Sequence, residues 1–210
     1  MKPIVFTVLI CGFSLFLGFS QTKTENLKMN TALILIDIQN DYFENGRMPL
    51  VGAEKASLNA RQVLNKFRSE GLPVIYIQHL ATGQKATFFL PMTSGVEIHE
   101  SVKPSGDEKL IIKHYPNSFR ETELLGYLKS KNITDLVICG MMTHMCVDAT
   151  VRAAKDDGFI CTVIADACAT RDLEINGEAV KAVEVQKSFL AAFNGFYAIV
   201  KTTGQYLEAR

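Results

Sequence analysis

Leu136-Val137-Ile138-Cys139, then Gly140-Met141-Met142-Thr143-His144-Met145-Cys146, then Val147, Thr150, Val151 and Ala154 form the stretch from which the rest of the chain can be ordered. Four apolar residues bounded by a glycine have the length of a buried strand, whereas the positions after Cys146 repeat at the spacing of one helix face. This predicts strand, tight loop, helix, with Thr143 as N-cap and Cys146 in the first helical turn. Unpaired N–H groups and the positive end of the helix dipole favour a thiolate there, and can also hold an oxyanion. Inert packing is the competing explanation of a free cysteine, so chemistry at Cys146 needs partners from elsewhere in the chain.

Working outward, Thr31 to Ile36 is a continuous apolar run ended by Asp37, as in a strand buried on both faces. Ala60, Val63, Leu64 and Phe67 repeat at helical spacing up to Gly71 and Pro73, and Val74 to Ile77 follows as a second strand. Residues 79–107 carry no sustained period and contain Gly83, Pro91, Gly95, Pro104 and Gly106, so they read as a long irregular excursion. Loops of that length inside a domain tend to be functional, and this one holds His79, Phe88 and Phe89, material for a pocket wall or for the loop's own packing.

Leu110 to Ile112 is a third strand ended by Lys113, and Leu124, Leu125 and Leu128 mark a helix opening near Ser118 or Arg120. A fifth strand is expected at Ile160 to Ala165, a helix from about Asn176 with Ala179, Val183, Leu190 and Phe193 on one face, and a last strand at Phe196 to Val200. Six strands alternating with helices imply a three-layer α/β domain: a parallel sheet, right-handed crossovers and helices on both faces.

The 210 residues are 48% hydrophobic, and 22 basic residues balance 22 acidic ones. No global field draws such a chain to nucleic acid or to an anionic membrane, which leaves a small molecule as the default partner. Residues 1–20 differ in kind: Lys2 precedes an apolar run from Ile4 to Phe19, and Gly18 and Ser20 supply small residues before a cut, the pattern of a secretory signal. Residues 21–30 form a short polar segment, and 31–210 the domain. Cleavage implies an exported protein without stable membrane association; an uncleaved anchor is the alternative. Cys11 lacks the small residues before it that a lipid-anchored cysteine has. The remaining Cys139, Cys146, Cys161 and Cys168 are even in number, but two sit in strand-like runs of a core that needs no staples, so free thiols are expected.

In an open parallel sheet, ligands bind beyond the carboxyl ends of the strands. Asp37 ends the first strand, Lys113 the third, and Cys146 follows the fourth. Singly, Asp37 could cap a loop and Lys113 could be a surface charge. Together they make a working set, because a carboxylate can take the thiol proton and return one to a leaving amine, while an ammonium steadies the thiolate.

Three ordered blocks, Asp37-Ile38-Gln39-Asn40-Asp41-Tyr42-Phe43, Lys113-His114-Tyr115-Pro116-Asn117-Ser118-Phe119 and Gly140 to Arg152, resemble the isochorismatase-like cysteine hydrolases. The resemblance implies the strand order 3-2-1-4-5-6, an Asp37-Lys113-Cys146 triad, self-association, and a cis peptide joining Met141 to Met142 that helps the N–H groups of Met142 and Cys146 form an oxyanion hole. Candidates for the pocket are Phe43, His79, Phe88, Phe89, Ser118 and His144. Nicotinamidases of this family hold a metal with an Asp-x-His pair and a further His after the second strand. Here Tyr76-Ile77-Gln78-His79-Leu80-Ala81 lacks the carboxylate, so neither a metal nor a cofactor is expected. The cysteine favours amide, carbamoyl or ureido chemistry. An enol-ether or lactam hydrolase of the streptothricin type is one rival, and a thiol-sensing or binding protein without turnover is another.

Overall fold

The computed structural model describes residues 30–208. The expected secretory signal, Cys11 and nearly all of the polar segment lie outside these residues.

Strands β1 (Thr31–Ile36), β2 (Val74–His79), β3 (Lys109–Lys113), β4 (Asp135–Met141), β5 (Ile160–Ala169) and β8 (Ile199–Lys201) form one six-stranded sheet in the order β3-β2-β1-β4-β5-β8, and every pairing is parallel. This is the expected order 3-2-1-4-5-6; the sixth strand is β8 only because a separate hairpin, β6 (Leu173–Ile175) and β7 (Glu178–Val180), precedes it. Among the described residues the helices are α1 (Ala53–Ser69), α2 (Leu124–Ser130), α3 (Asp148–Asp156), α4 (Ala182–Phe193) and α5 (Thr203–Glu208).

Side chains of a strand alternate between the sheet's faces, and β1 supplies both cores. Leu33 and Leu35 pack with Ala60, Val63, Leu64 and Phe67 of α1, whereas Ala32, Ile34 and Ile36 pack with Leu124 and Leu128 of α2 and Val151 and Ala154 of α3. A strand apolar at every position is what burial on two faces demands.

Four boundaries differ from the expected ones, each for a local reason. The helix expected near Ser118 begins at Leu124, because Glu121 takes a left-handed φ of 55° and breaks any earlier turn. The helix expected from Asn176 begins at Ala182, since Asn176 and Gly177, at φ 53° and 82°, make the two-residue turn of the β6–β7 hairpin. Asn-Gly was the overlooked signal, and Ala179 belongs to β7. Strand β5 runs on to Ala169 through a bulge opposite β4 that pairs Gly140 with Cys168. The last strand starts only at Ile199, after turns in which Tyr197 and Ala198 both donate to the Phe193 carbonyl.

The excursion after β2 contains only two short 3-10 turns, Ser94–Val96 and Glu100–Val102. It is nevertheless pinned across the carboxyl ends of the strands: Asn40 N donates to Glu97 O at 3.0 Å, His99 N to Ile38 O at 2.8 Å, and Gln39 Nε2 to Val96 O at 2.6 Å. Asp41 adds a further tie, accepting from Phe89 N at 2.6 Å, and closes its own loop by accepting from Arg47 N at 3.2 Å.

Candidate active site

Parallel pairing carries the site's residues to one rim. Ile36 is opposite both Ile77 and Gly140, and His79 is opposite Lys113, so the ends of β1, β2, β3 and β4 lie side by side. Asp37 follows β1 in a left-handed conformation, φ 50°, that non-glycine residues seldom adopt outside functional or tightly held positions. Its N–H donates to Ile77 O at 3.0 Å, and its carboxylate meets Lys113 Nζ at 2.8 Å. Both side chains are fully buried. Lys113 is therefore no surface charge; its ammonium also donates to Pro116 O at 3.0 Å.

Gly140 lets β4 reach the site. Its φ is 143°, and a Cβ there would collide with the carbonyl oxygen of Ile36. The next peptide bond, Met141–Met142, is cis. Residues Thr143–Val147 then form one π-helical turn before α3. Thr143 is not the N-cap expected of it. Met142 occupies the cap position, and the Thr143 hydroxyl instead donates to Gln186 Oε1 at 2.6 Å and sits 3.2 Å from Ala169 O. Cys146 is carried on this turn into contact with the rim: its Sγ is 3.9 Å from His79 Nδ1, which is 3.8 Å from Asp37 Oδ2.

The charge states differ from those the helix-terminus reading anticipates. Burial, and after it the Asp37 charge, push the Cys146 thiol well up, and the nearby Lys113 offsets them only in part. For Asp37 burial is again the largest influence and an upward one. The Lys113 ammonium, seconded by His79 and the thiol, outweighs it and leaves the carboxyl below its ordinary value. Lys113 is held up in turn, its burial overcome by Asp37. The resting state is thus carboxylate, ammonium and neutral thiol. Beyond the Lys113 ammonium at 2.8 Å, neither Asp37 oxygen makes a hydrogen bond among the described residues, so the carboxylate keeps lone pairs facing the thiol.

Of the pocket candidates, His79 lies at the site, and Phe89 beside it, with ring centroids 5.8 Å apart. Phe88 packs on Phe89 at 4.9 Å. Phe43 is stacked on His99, centroids 3.5 Å apart. His144 Nδ1 is 2.6 Å from Thr170 Oγ1. Ser118 is fully buried, its hydroxyl engaged with Thr150 at 2.8 Å. Two residues of the first block escaped notice in the sequence. Gln39 clamps the His79 backbone from both sides, Oε1 accepting from His79 N at 2.7 Å and Nε2 donating to His79 O at 2.9 Å. Tyr42 is buried against Phe89, and its hydroxyl is pushed well up by burial and then by the charges of Cys146 and Asp37. Their place in the block from Asp37 to Phe43 was the available signal.

The nicotinamidase type of metal set does not fit here: Gln78 and His79 close β2, and the Gln78 amide donates to Val96 O. Among the described residues, the four cysteines Cys139, Cys146, Cys161 and Cys168 are buried and free.

Residues 31–194 match the family model described as the isochorismatase domain. The chain is 53% identical over 180 residues, 86% of its length and 100% of the relative's, to the isochorismatase family protein YddQ of Bacillus subtilis (strain 168). It superposes on the crystal structure of a family protein from Oleispira antarctica with a TM-score of 0.83 and 46% identity, covering 86% of this chain and 97% of the other. It is also 26% identical to the ureidoacrylate amidohydrolase RutB of Caulobacter segnis, over 84% of each chain. The protein belongs to the isochorismatase family. It is a hydrolase of the α/β isochorismatase fold, in a family whose amidohydrolases act on non-peptide C–N bonds.

Proposed function

We propose that the protein is an exported cysteine hydrolase that cleaves the C–N bond of an amide, carbamoyl or ureido group in a small molecule. The observation that carries this reading is the meeting of Asp37, Lys113 and Cys146, from three separate strand ends, within one buried cluster. The relative named ureidoacrylate amidohydrolase supports the choice of bond.

Asp37 takes the thiol proton as Cys146 Sγ attacks the carbonyl carbon. Because the thiol rests protonated, this transfer accompanies attack and does not precede it. The N–H groups of Met142 and Cys146 receive the oxyanion. Asp37 then gives its proton to the leaving nitrogen, the C–N bond breaks, and ammonia or an amine departs, leaving a thioester. Water, deprotonated by Asp37, attacks the thioester and releases the acid with the regenerated thiol. Lys113 remains an ammonium throughout and holds the carboxylate in place. Phe88, Phe89 and His79 line the approach, and the enzyme acts outside the cytoplasm as a homo-oligomer.

The test is release of ammonia or amine from a panel of primary amides, carbamoyl amino acids and ureido acids, with wild type and Cys146→Ala side by side. Turnover of at least one class, lost in the variant together with a thioester adduct seen by intact mass, is the expected result. A folded wild type inert across the panel would sink the proposal.

A further inference from the structure

His79 stands alone in its own stretch of sequence, which is why that stretch reads as metal-free, but it is not alone in space. His79 Nδ1, Cys146 Sγ and a carboxylate oxygen of Asp37 all lie within 4.8 Å of one another. A tetrahedral zinc ion with bonds of about 2.0–2.3 Å separates its ligand atoms by roughly 3.3–3.6 Å. The measured 3.8 Å from nitrogen to oxygen and 3.9 Å from sulfur to nitrogen exceed that by only a few tenths of an ångström. The second observation is the carboxylate itself: Asp37 is fully buried, and beyond the Lys113 ammonium at 2.8 Å neither of its oxygens makes a hydrogen bond among the described residues, which leaves lone pairs for a cation.

We infer that these three side chains form a binding site for a borderline-soft divalent cation of the zinc type, and that its occupancy shuts the enzyme off. Thiolate, imidazole and carboxylate are the ligand set zinc prefers, and three protein ligands leave a fourth position for water. On binding, the Cys146 S–H bond breaks, its electron pair becomes the metal–sulfur bond, and the proton passes to buffer. The nucleophile is then capped and the base is occupied, so the attack described above has neither. Lys113, 2.8 Å from Asp37, opposes the ion's charge, which makes the site reversible by chelators. Binding stands on the geometry alone; inhibition rests on the proposed function.

The experiment titrates the full chain with zinc chloride in a calorimeter, in two buffers of different ionisation enthalpy, and with cobalt chloride followed in the near ultraviolet. Expected are one zinc per chain, release of about one proton, a thiolate-to-cobalt charge-transfer band, and at least tenfold weaker binding in His79→Ala and in Cys146→Ala. Binding that both variants leave unchanged, or none, overturns the site, and zinc that stimulates turnover overturns the inhibition. If zinc binds as described while no amide is hydrolysed, the proposed function fails and the site stands. If amides are hydrolysed and saturating zinc does not inhibit, the inference fails and the function stands.

Discussion

Asp37 and Lys113 face each other at 2.8 Å with both side chains fully buried, although 76 positions separate them in the chain. Removing one partner of such a pair strands a charge in the interior and costs about 3–5 kcal/mol, whereas replacing both with apolar residues can be nearly neutral. Lys113→Met is therefore expected to lower unfolding stability by that amount. The double variant Asp37→Leu/Lys113→Met should recover most of the stability and none of the turnover. Urea unfolding and the amide panel, run on the same preparations, check both halves.

Asp37→Asn keeps the shape of the side chain and removes its basicity. Turnover is expected to fall by at least about 100-fold, in the range general-base loss produces, while the circular dichroism spectrum is unchanged. Retained activity would mean that another group takes the thiol proton.

Because burial and the Asp37 charge hold the Cys146 thiol up, alkylation by iodoacetamide is expected to be slow at neutral pH and to rise through about pH 9 without a plateau. Peptide mapping at several pH values measures this. A plateau below neutrality would reveal a preformed thiolate.

Stability should also respond to pH in a fixed sense. Burial, the largest influence in each case, lifts Cys161 and Cys168 to about 12 and pushes Cys139 and Cys146 well up. A thiol whose folded value lies above the unfolded one of about 8.5 contributes stability that is whole below about 8.5 and is lost as pH rises towards the folded value. Each such thiol steepens the alkaline fall by roughly 1.4 kcal/mol per pH unit. Cys161→Ala should flatten that fall, which denaturant midpoints from about pH 8 to 10 would show. Asp37 acts in the opposite direction, its contribution vanishing only as pH drops through its lowered value.

Gly140→Ala would place a methyl group against the Ile36 carbonyl in a backbone conformation foreign to alanine. A loss of about 3 kcal/mol or more is expected, together with loss of turnover, because β4 delivers Cys146 to the rim. Thermal unfolding beside the amide panel tests it, and wild-type stability would show that the strand can shift.

Much of this protein is written locally. Apolar runs ended by Asp37 and Lys113 announced two strands, the first of them buried on both faces, and the block from Gly140 to Cys146 announced the turn that carries the sulfur. Hydrophobic period and strand-end polarity are short-range properties, so they survive in the sequence. The hairpin at Asn176-Gly177 was equally local and was obscured only by apolar residues that also fit a helix.

What only the tertiary structure decided is the electrical state of the site and the company each side chain keeps. A helix terminus by itself predicts a thiolate at Cys146, yet burial and the Asp37 carboxylate reverse that. Lys113 looks like a surface charge until pairing of β3 with β2 seals it inside, and His79 looks solitary until the ends of β1 and β4 arrive beside it. Desolvation and charge–charge energy depend on distances through space, and chain folding sets those distances between residues that share no local pattern.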